Sequence, residues 1–149
     1  MHPTLISAEF VEDALSCLER AGHDRAPLLA QLGLTSPVTA AVTNEVYGRL
    51  WWLIAQTMQD EFFGMAARPM RPGSFVLLCH SVLSTPTLKQ ALERALMFLS
   101  VVLDDPQGTL HIRDSEARID LIAQQPRSAF AYRTYWLILM GVTCWLVGR

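Results

Sequence analysis

The sequence predicts an α+β, mostly helical domain, with about six helices packed around a central helix pair and one β-hairpin. Three observations carry that expectation. From Pro72 to Val102 the chain reads as two apolar helices around a corner: Ser84-Thr85-Pro86 ends the first, because proline disfavours helical geometry at the residue before it, and Thr87-Leu88-Lys89-Gln90 opens the second as a capping box. Beyond that box Leu92, Ala95, Leu96, Leu99, Val102 and Leu103 recur at helical spacing, a stripe that the rest of the chain must cover. After the break at Asp104-Asp105-Pro106-Gln107-Gly108 the period drops to two. Leu110 and Ile112 alternate with His111 and Arg113, and Ile119 and Leu121 with Arg118 and Asp120, around a turn near Asp114-Ser115-Glu116. That is a hairpin with one buried face, and because a lone hairpin is marginal in water it must lie against helices or pair with other strands.

In chain order, Ser7 is placed to cap a helix that runs to Ala21, with Phe10, Val11, Ala14, Leu15 and Leu18 inward and Gly22 as its stop. A short second helix is capped by Asp24 and ended by Gly33, with Leu28, Leu29 and Leu32 inward; His23-Asp24-Arg25 reads as a cap and solvated charge, since no second ligand lies at a metal spacing. Thr35-Ser36-Pro37 marks a loop. Thr43 or Asn44 opens a third helix, ending near Gln59, whose inner face is Val46, Tyr47, Leu50, Trp51, Ile54 and Met58, widened by Trp52 and Leu53. Trp51 and Trp52 point in different directions, so one is expected in the core and the other against a second element, a cavity or a partner. Residues 62–73 form a turn-rich connector, and the acid pairs Asp60-Glu61 and Asp104-Asp105 are expected to be solvated at helix ends and turns. Gln125-Pro126-Arg127-Ser128 leads into a last helix from Ala129, apolar nearly all round in its second half, which is expected to be either deeply buried or waiting for further chain to cover it.

Composition narrows the class. A chain of 149 residues that is 51% hydrophobic and 17% charged suits one folded domain, excludes disorder, and leaves room for an apolar patch that meets a partner. Net charge is −2 and Lys89 is the only lysine among 12 basic residues, so the basic stripe of a nucleic-acid binder is missing. Cys17, Cys79 and Cys144 are odd in number, far apart and outside any CxxC pair, which together with the lack of a secretory stretch near Met1 points to a reduced, cytoplasmic protein. The most apolar run, Tyr135 to Gly148, falls short of the roughly 18–20 residues of a membrane span, so no membrane partner is expected.

Reaction chemistry is thin. There is no nucleophile elbow, Gly-rich phosphate loop, HExxH pair or EF-hand loop, so no catalytic residues and no enzyme are expected. His80 is the one imidazole inside the central helix pair; a metal or haem role would need partners, and adjacent Cys79 points about 100° away on a helix, so no metal ligands and no cofactor are expected. The expected ligand site is an apolar pocket in which His80 makes the orienting hydrogen bond, Trp51 and Phe75 form walls beside Tyr47, and Tyr132 or Trp136 serves as a lid. The alternative is that these aromatics fill the core while His80 bonds a backbone carbonyl.

Phe63-Gly64-Met65-Ala66-Ala67-Arg68, then Pro72-Gly73, Leu77-Leu78, and above all Val82-Leu83-Ser84-Thr85-Pro86-Thr87-Leu88-Lys89-Gln90-Ala91-Leu92, resemble the N-terminal effector domain of AraC/XylS-type bacterial transcription regulators, the subgroup named for an arabinose-binding-like domain. The order of a long helix, a glycine-bearing connector, Pro-Gly, the S-x-T-L-x-x-A-L corner, a hairpin and a further helix is similar over nearly the whole chain. It departs from the family pattern at Cys79, His80 and Gln90, positions that bear on the ligand rather than on the fold.

The resemblance implies a single sensor domain over residues 1–149 that binds a small-molecule effector, is a fragment of a longer regulator, and reaches DNA only through a C-terminal helix-turn-helix domain outside this chain. The apolar last helix, or the helix around Leu96, is expected to mediate a homodimer. The competing readings are a ligand-free dimerisation or interaction module and, further off, a haem or metal sensor.

Overall fold

The computed structural model describes residues 4–148. Its elements run β1 (Leu5–Ile6), α1 (Ala8–Arg20), α2 (Ala26–Leu32), β2 (Val42–Thr43), α3 (Asn44–Met58), α4 (Ser74–Leu83), α5 (Leu88–Leu103), β3 (Gln107–Arg113), β4 (Glu116–Ile122) and α6 (Ala129–Val147). Four helices start on hydroxyl caps, three of them (Ser7, Thr43 and Thr87) indicated by the sequence. Ser7, Thr43, Thr87 and Ser128 each accept the backbone N–H three residues on, from Phe10, Val46, Gln90 and Ala131 at 3.1–3.3 Å. Caps of this kind stabilise a helix start by about 1 kcal/mol each. At α2 the Asp24 carboxylate accepts from Ala26 N at 2.9 Å, and Gly33 closes the helix in the left-handed conformation, φ 66°.

The stripe on α5 is covered as required. Ala91, Ala95, Leu96, Leu99 and Leu103 are buried, with α4, β3 and α6 packed on the helix. Arg94, from the outer side of α5, donates to Ser81 O at 2.8 Å and to the Ser84 hydroxyl at 3.2 Å and so occupies one of the free carbonyls at the end of α4. β3 and β4 pair antiparallel, with Leu110 opposite Ile119 and Gly108 opposite Leu121. Only the half of the hairpin near α5 is covered: Gly108, Leu110, Ile119 and Leu121 are partly buried, whereas Ile112 is exposed toward the tip and Ile122, opposite Gln107 at the open end, is exposed on the other face of β4. Gly108 lies so close to Leu96 and the Tyr135 hydroxyl that an added Cβ would stand 2.7 Å from each, and glycine there lets the strand descend onto the core.

The structure adds one element and corrects the reading of several charged residues. The first strand pair, β1 with β2, has two residues a side and no alternating signature; it joins Ile6 to Val42 and so closes the N-terminal half. Arg25 is no solvated charge: its guanidinium bonds both oxygens of Glu12 at 2.8–2.9 Å and also Glu19, while Glu12 Oε1 accepts from Val38 N at 2.8 Å and ties the following loop to α1. Asp60 and Asp105 are not solvated either. Both are buried, at 4% and 7% exposure, because each sits where several chain segments direct N–H groups inward.

Finally, α6 is two-faced. Phe130, Ala131, Thr134, Tyr135, Ile138, Leu139 and Val142 enter the core, while Trp136, Leu137, Met140, Trp145 and Val147 stay exposed. By length and composition alone the helix, 19 residues at a mean hydropathy of 1.3, is long and apolar enough to cross a membrane, since it begins well before Tyr135.

Candidate functional site

Where α3 ends, Gln59 is left-handed at φ 55°, and the chain turns into the connector. Asp60 organises that turn. Its Oδ1 accepts from Phe62 N and Met70 N and its Oδ2 from Gly64 N, all at 2.8 Å, so one carboxylate holds both ends of the connector loop. Phe63 is kept in the left-handed region at φ 57°, a conformation that costs a bulky residue energy and persists because the surrounding bonds impose it.

Glu61 extends the arrangement. Its backbone N–H donates to Met70 O at 2.6 Å, its carbonyl accepts the Trp51 indole N–H at 2.8 Å, and its Oε1 accepts from Phe75 N at 3.0 Å. The carboxylate therefore caps α4, whose own N-cap residue, Gly73, has no side chain to do so. Burial pushes the Glu61 carboxyl above its usual range; the N–H groups of Phe75, Gly73 and Ser74 pull the other way, and neighbouring Asp60 adds to the rise.

Between α3, this connector, α4 and α6 lies a cavity of about 270 Å³. Gly48, Trp51, Trp52 and Ala55 face it from α3, Glu61 and Met70 from the connector, Phe75 from α4, and Leu137 and Ile138 from α6. Among the described residues Glu61 is the only charged one in the wall. Trp51 is held rigidly: behind it Tyr47, Phe10, Phe130 and Phe63 form a closed ring of aromatics with it, with centroids 4.9–6.4 Å apart. Trp52, 61% exposed, stands at the rim. The adjacent indoles thus point in different directions: Trp51 packs against the core cluster and Trp52 is exposed, and both reach the cavity.

Of the residues named from sequence, Trp51 and Phe75 share this cavity, and Tyr47 is buried behind Trp51. His80 is exposed in the last turn of α4, since Leu78 and Val82 take the inward positions on either side of it, and it does not line the cavity. Tyr132 is partly buried and does not line it either. Trp136 lies one step round α6, in an open groove with Leu5, Phe10, Arg133 and Met140, and the side facing α3 is supplied by Leu137 and Ile138 instead. The charged residue in the cavity wall is Glu61, whose sequence position beside Asp60 predicts a solvated acid. An acid pair directly followed by Phe-Phe-Gly was the available signal, because a glycine-bearing turn leaves N–H groups that need an acceptor.

No group of three or more His, Cys, Asp or Glu residues among the described residues is placed to hold a metal ion, and Cys17, Cys79 and Cys144 are free thiols.

No curated protein and no solved structure matches this chain. A family model does: that of the arabinose-binding domain of AraC transcription regulators, N-terminal, which matches residues 22–149. That span takes in α3, the connector, α4 and α6, every segment that walls the cavity. The six helices and the two small antiparallel strand pairs agree with a mostly helical α+β effector domain. The family is regulatory and ligand-binding rather than enzymatic. The chain belongs to the family of N-terminal arabinose-binding, effector-sensing domains of AraC-type transcription regulators.

Proposed function

We propose that this domain senses a small, largely apolar metabolite in the cavity between α3, the connector, α4 and α6, and passes its occupancy to a DNA-binding domain outside this chain. The observation that carries the reading is the wall itself: Trp51, Trp52, Phe75, Leu137 and Ile138 around a single carboxylate, a mostly apolar concavity with one polar group to fix orientation. Because four separate segments contribute, a bound molecule would add contacts between them and shift their packing together. The domain is cytoplasmic in this reading, and the −2 chain alone is expected to give no sequence-specific shift of duplex DNA in a gel.

Gly48 gives a clean test. It sits inside α3 at the cavity edge with nothing within 4 Å of where a Cβ would be. Gly48→Ala is expected to stabilise the domain by about 0.5–1 kcal/mol, since a helical glycine costs backbone entropy. Gly48→Leu should fold while filling the entrance. In thermal shift against a metabolite panel, a ligand at a hundredfold excess over its Kd raises stability by about 2.7 kcal/mol. That gain should vanish in Gly48→Leu, and an undiminished shift would move the site elsewhere.

A second property rests on the exposed face of α6. We expect Trp136, Leu137, Met140 and Val147 to pair with the same face of a second copy, forming a homodimer in addition to sensing. Met140 is 63% exposed, so Met140→Asp should leave folding intact and shift sedimentation toward the monomer. A wild-type monomer across a wide concentration range would remove this part of the reading.

A further inference from the structure

Glu61 is a partly buried carboxylate with no cationic partner among the described residues. Glu12 is paired with Arg25 and Asp105 with Arg127, while Asp60 is enclosed by three backbone N–H groups. The Glu61 carboxylate accepts from the start of α4, Glu61 also lines the cavity, and no Arg, Lys or His among the described residues lines it. Trp51, Trp52 and Phe75, two indoles and a phenyl ring, line the same cavity as Glu61.

We propose that the ligand of this cavity is a small organic cation, an amine or quaternary ammonium on an apolar or aromatic body, held between the Trp51, Trp52 and Phe75 rings and the Glu61 carboxylate. This rests on the reading of the cavity as the effector pocket and names the class of molecule that fits it. The choice among charges follows from the wall. An anion would meet Glu61 with no cation to offset it, and the N–H groups at the start of α4 are already used by that carboxylate. A neutral molecule would complete the burial of Glu61 and leave its charge uncompensated. A cation supplies the missing charge, and its attraction to electron-rich ring faces grows as water leaves the pocket. The upward push of burial on the Glu61 carboxyl is what such a charge would reverse.

The test uses the full chain and three probes of matched shape: phenethylammonium, 2-phenylethanol and phenylacetate, titrated by calorimetry and by quenching of tryptophan fluorescence. Phenethylammonium is expected to bind at least about tenfold more tightly than the alcohol, with phenylacetate weakest. Glu61→Gln keeps a carbonyl oxygen to accept from Phe75 N, so α4 stays capped; it should bring ammonium and alcohol to within about twofold of each other by loss of ammonium affinity. Trp52→Leu, at an exposed position, should weaken the ammonium more than the alcohol. Equal binding of ammonium and alcohol by the wild type would overturn the cation and leave the apolar pocket standing, as would an unchanged preference in Glu61→Gln if its unfolding transition matches the wild type. Binding of none of the three would overturn the cation, and a metabolite-induced shift that is undiminished in Gly48→Leu would overturn the pocket reading as well.

Discussion

Asp60→Ala is expected to lower folding stability by about 3–5 kcal/mol, near the upper end for a single substitution. Three backbone N–H groups converge on this carboxylate at 2.8 Å, and the residue is only 4% exposed, so water cannot replace the lost acceptors without opening the loop. The bonds also hold Phe63 left-handed, so their removal would release a strained backbone together with the Phe62 and Phe63 side chains, both fully or nearly fully buried. Asp60→Asn provides the graded control. Its amide oxygen at the Oδ1 position can still accept from Phe62 and Met70, while its NH₂ group would face the Gly64 N–H, so an intermediate loss of about 1–3 kcal/mol is expected. Urea unfolding followed by tryptophan fluorescence reads both variants, since the Trp51 indole is bonded to the Glu61 carbonyl next door. A loss below about 1 kcal/mol in the alanine variant would show that the connector holds its shape without this anchor.

The local features of the fold were legible in the sequence because local chemistry sets them. Ser7, Thr43 and Thr87 cap where a hydroxyl precedes a helical apolar pattern, Gly33 ends α2, and the period change after Asp105 marks β3 and β4. What spacing could not disclose is which distant chain a charge meets. Arg25 finds Glu12 and Glu19, and Asp105 finds residues 124, 125 and 127, through folding that no local window encodes. The candidate site was half legible for the same reason. Trp51 and Phe75 stand out as large apolar groups on adjacent elements, and the structure does bring them together. His80 stood out only as the polar residue in an apolar run, yet the period of α4 puts Leu78 and Val82 inward and so turns residue 80 to solvent. Glu61 was overlooked because an acid beside an acid at a helix end is usually solvated, and only the chain's return through Met70 and Phe75 encloses it.

Asp105→Ala is the second substitution with a large expected effect, and its pH dependence separates it from ordinary packing loss. Asp105 Oδ1 accepts from Gln124 N at 2.7 Å, and Oδ2 accepts from Arg127 Nε and Nη2 at 2.9 and 2.6 Å and from Gln125 N at 3.4 Å. Arg127 Nη1 also donates to Met65 O at 3.4 Å, and Asp105 O accepts from Ala67 N at 3.0 Å, so this residue pair joins the hairpin's two ends to the connector. Removing the carboxylate leaves buried N–H groups and an unpaired guanidinium, at an expected cost of about 2–4 kcal/mol. Arg127→Leu should cost less, about 1–3 kcal/mol, because the Gln124 and Gln125 N–H groups still serve Asp105. The double variant should fall short of the sum by about 1–3 kcal/mol, the coupling expected of residues in direct contact. The Gln124 N–H first, and then Arg127 and the Gln125 N–H, hold the Asp105 carboxyl below the usual aspartate range. A depressed folded-state pKa means stability that is fully present above the unfolded-state value near 3.9 and lost as pH falls through the folded one. Wild-type stability should therefore drop as pH falls below about 4, and Asp105→Ala should show a shallower drop. Some acid loss should survive in that variant, because the Val38 N–H and Arg25 hold Glu12 below its usual range despite the upward push of burial. Parallel stability curves for wild type and Asp105→Ala between neutral pH and pH 3 would mean that the carboxylate's charge contributes nothing and that its role is steric alone.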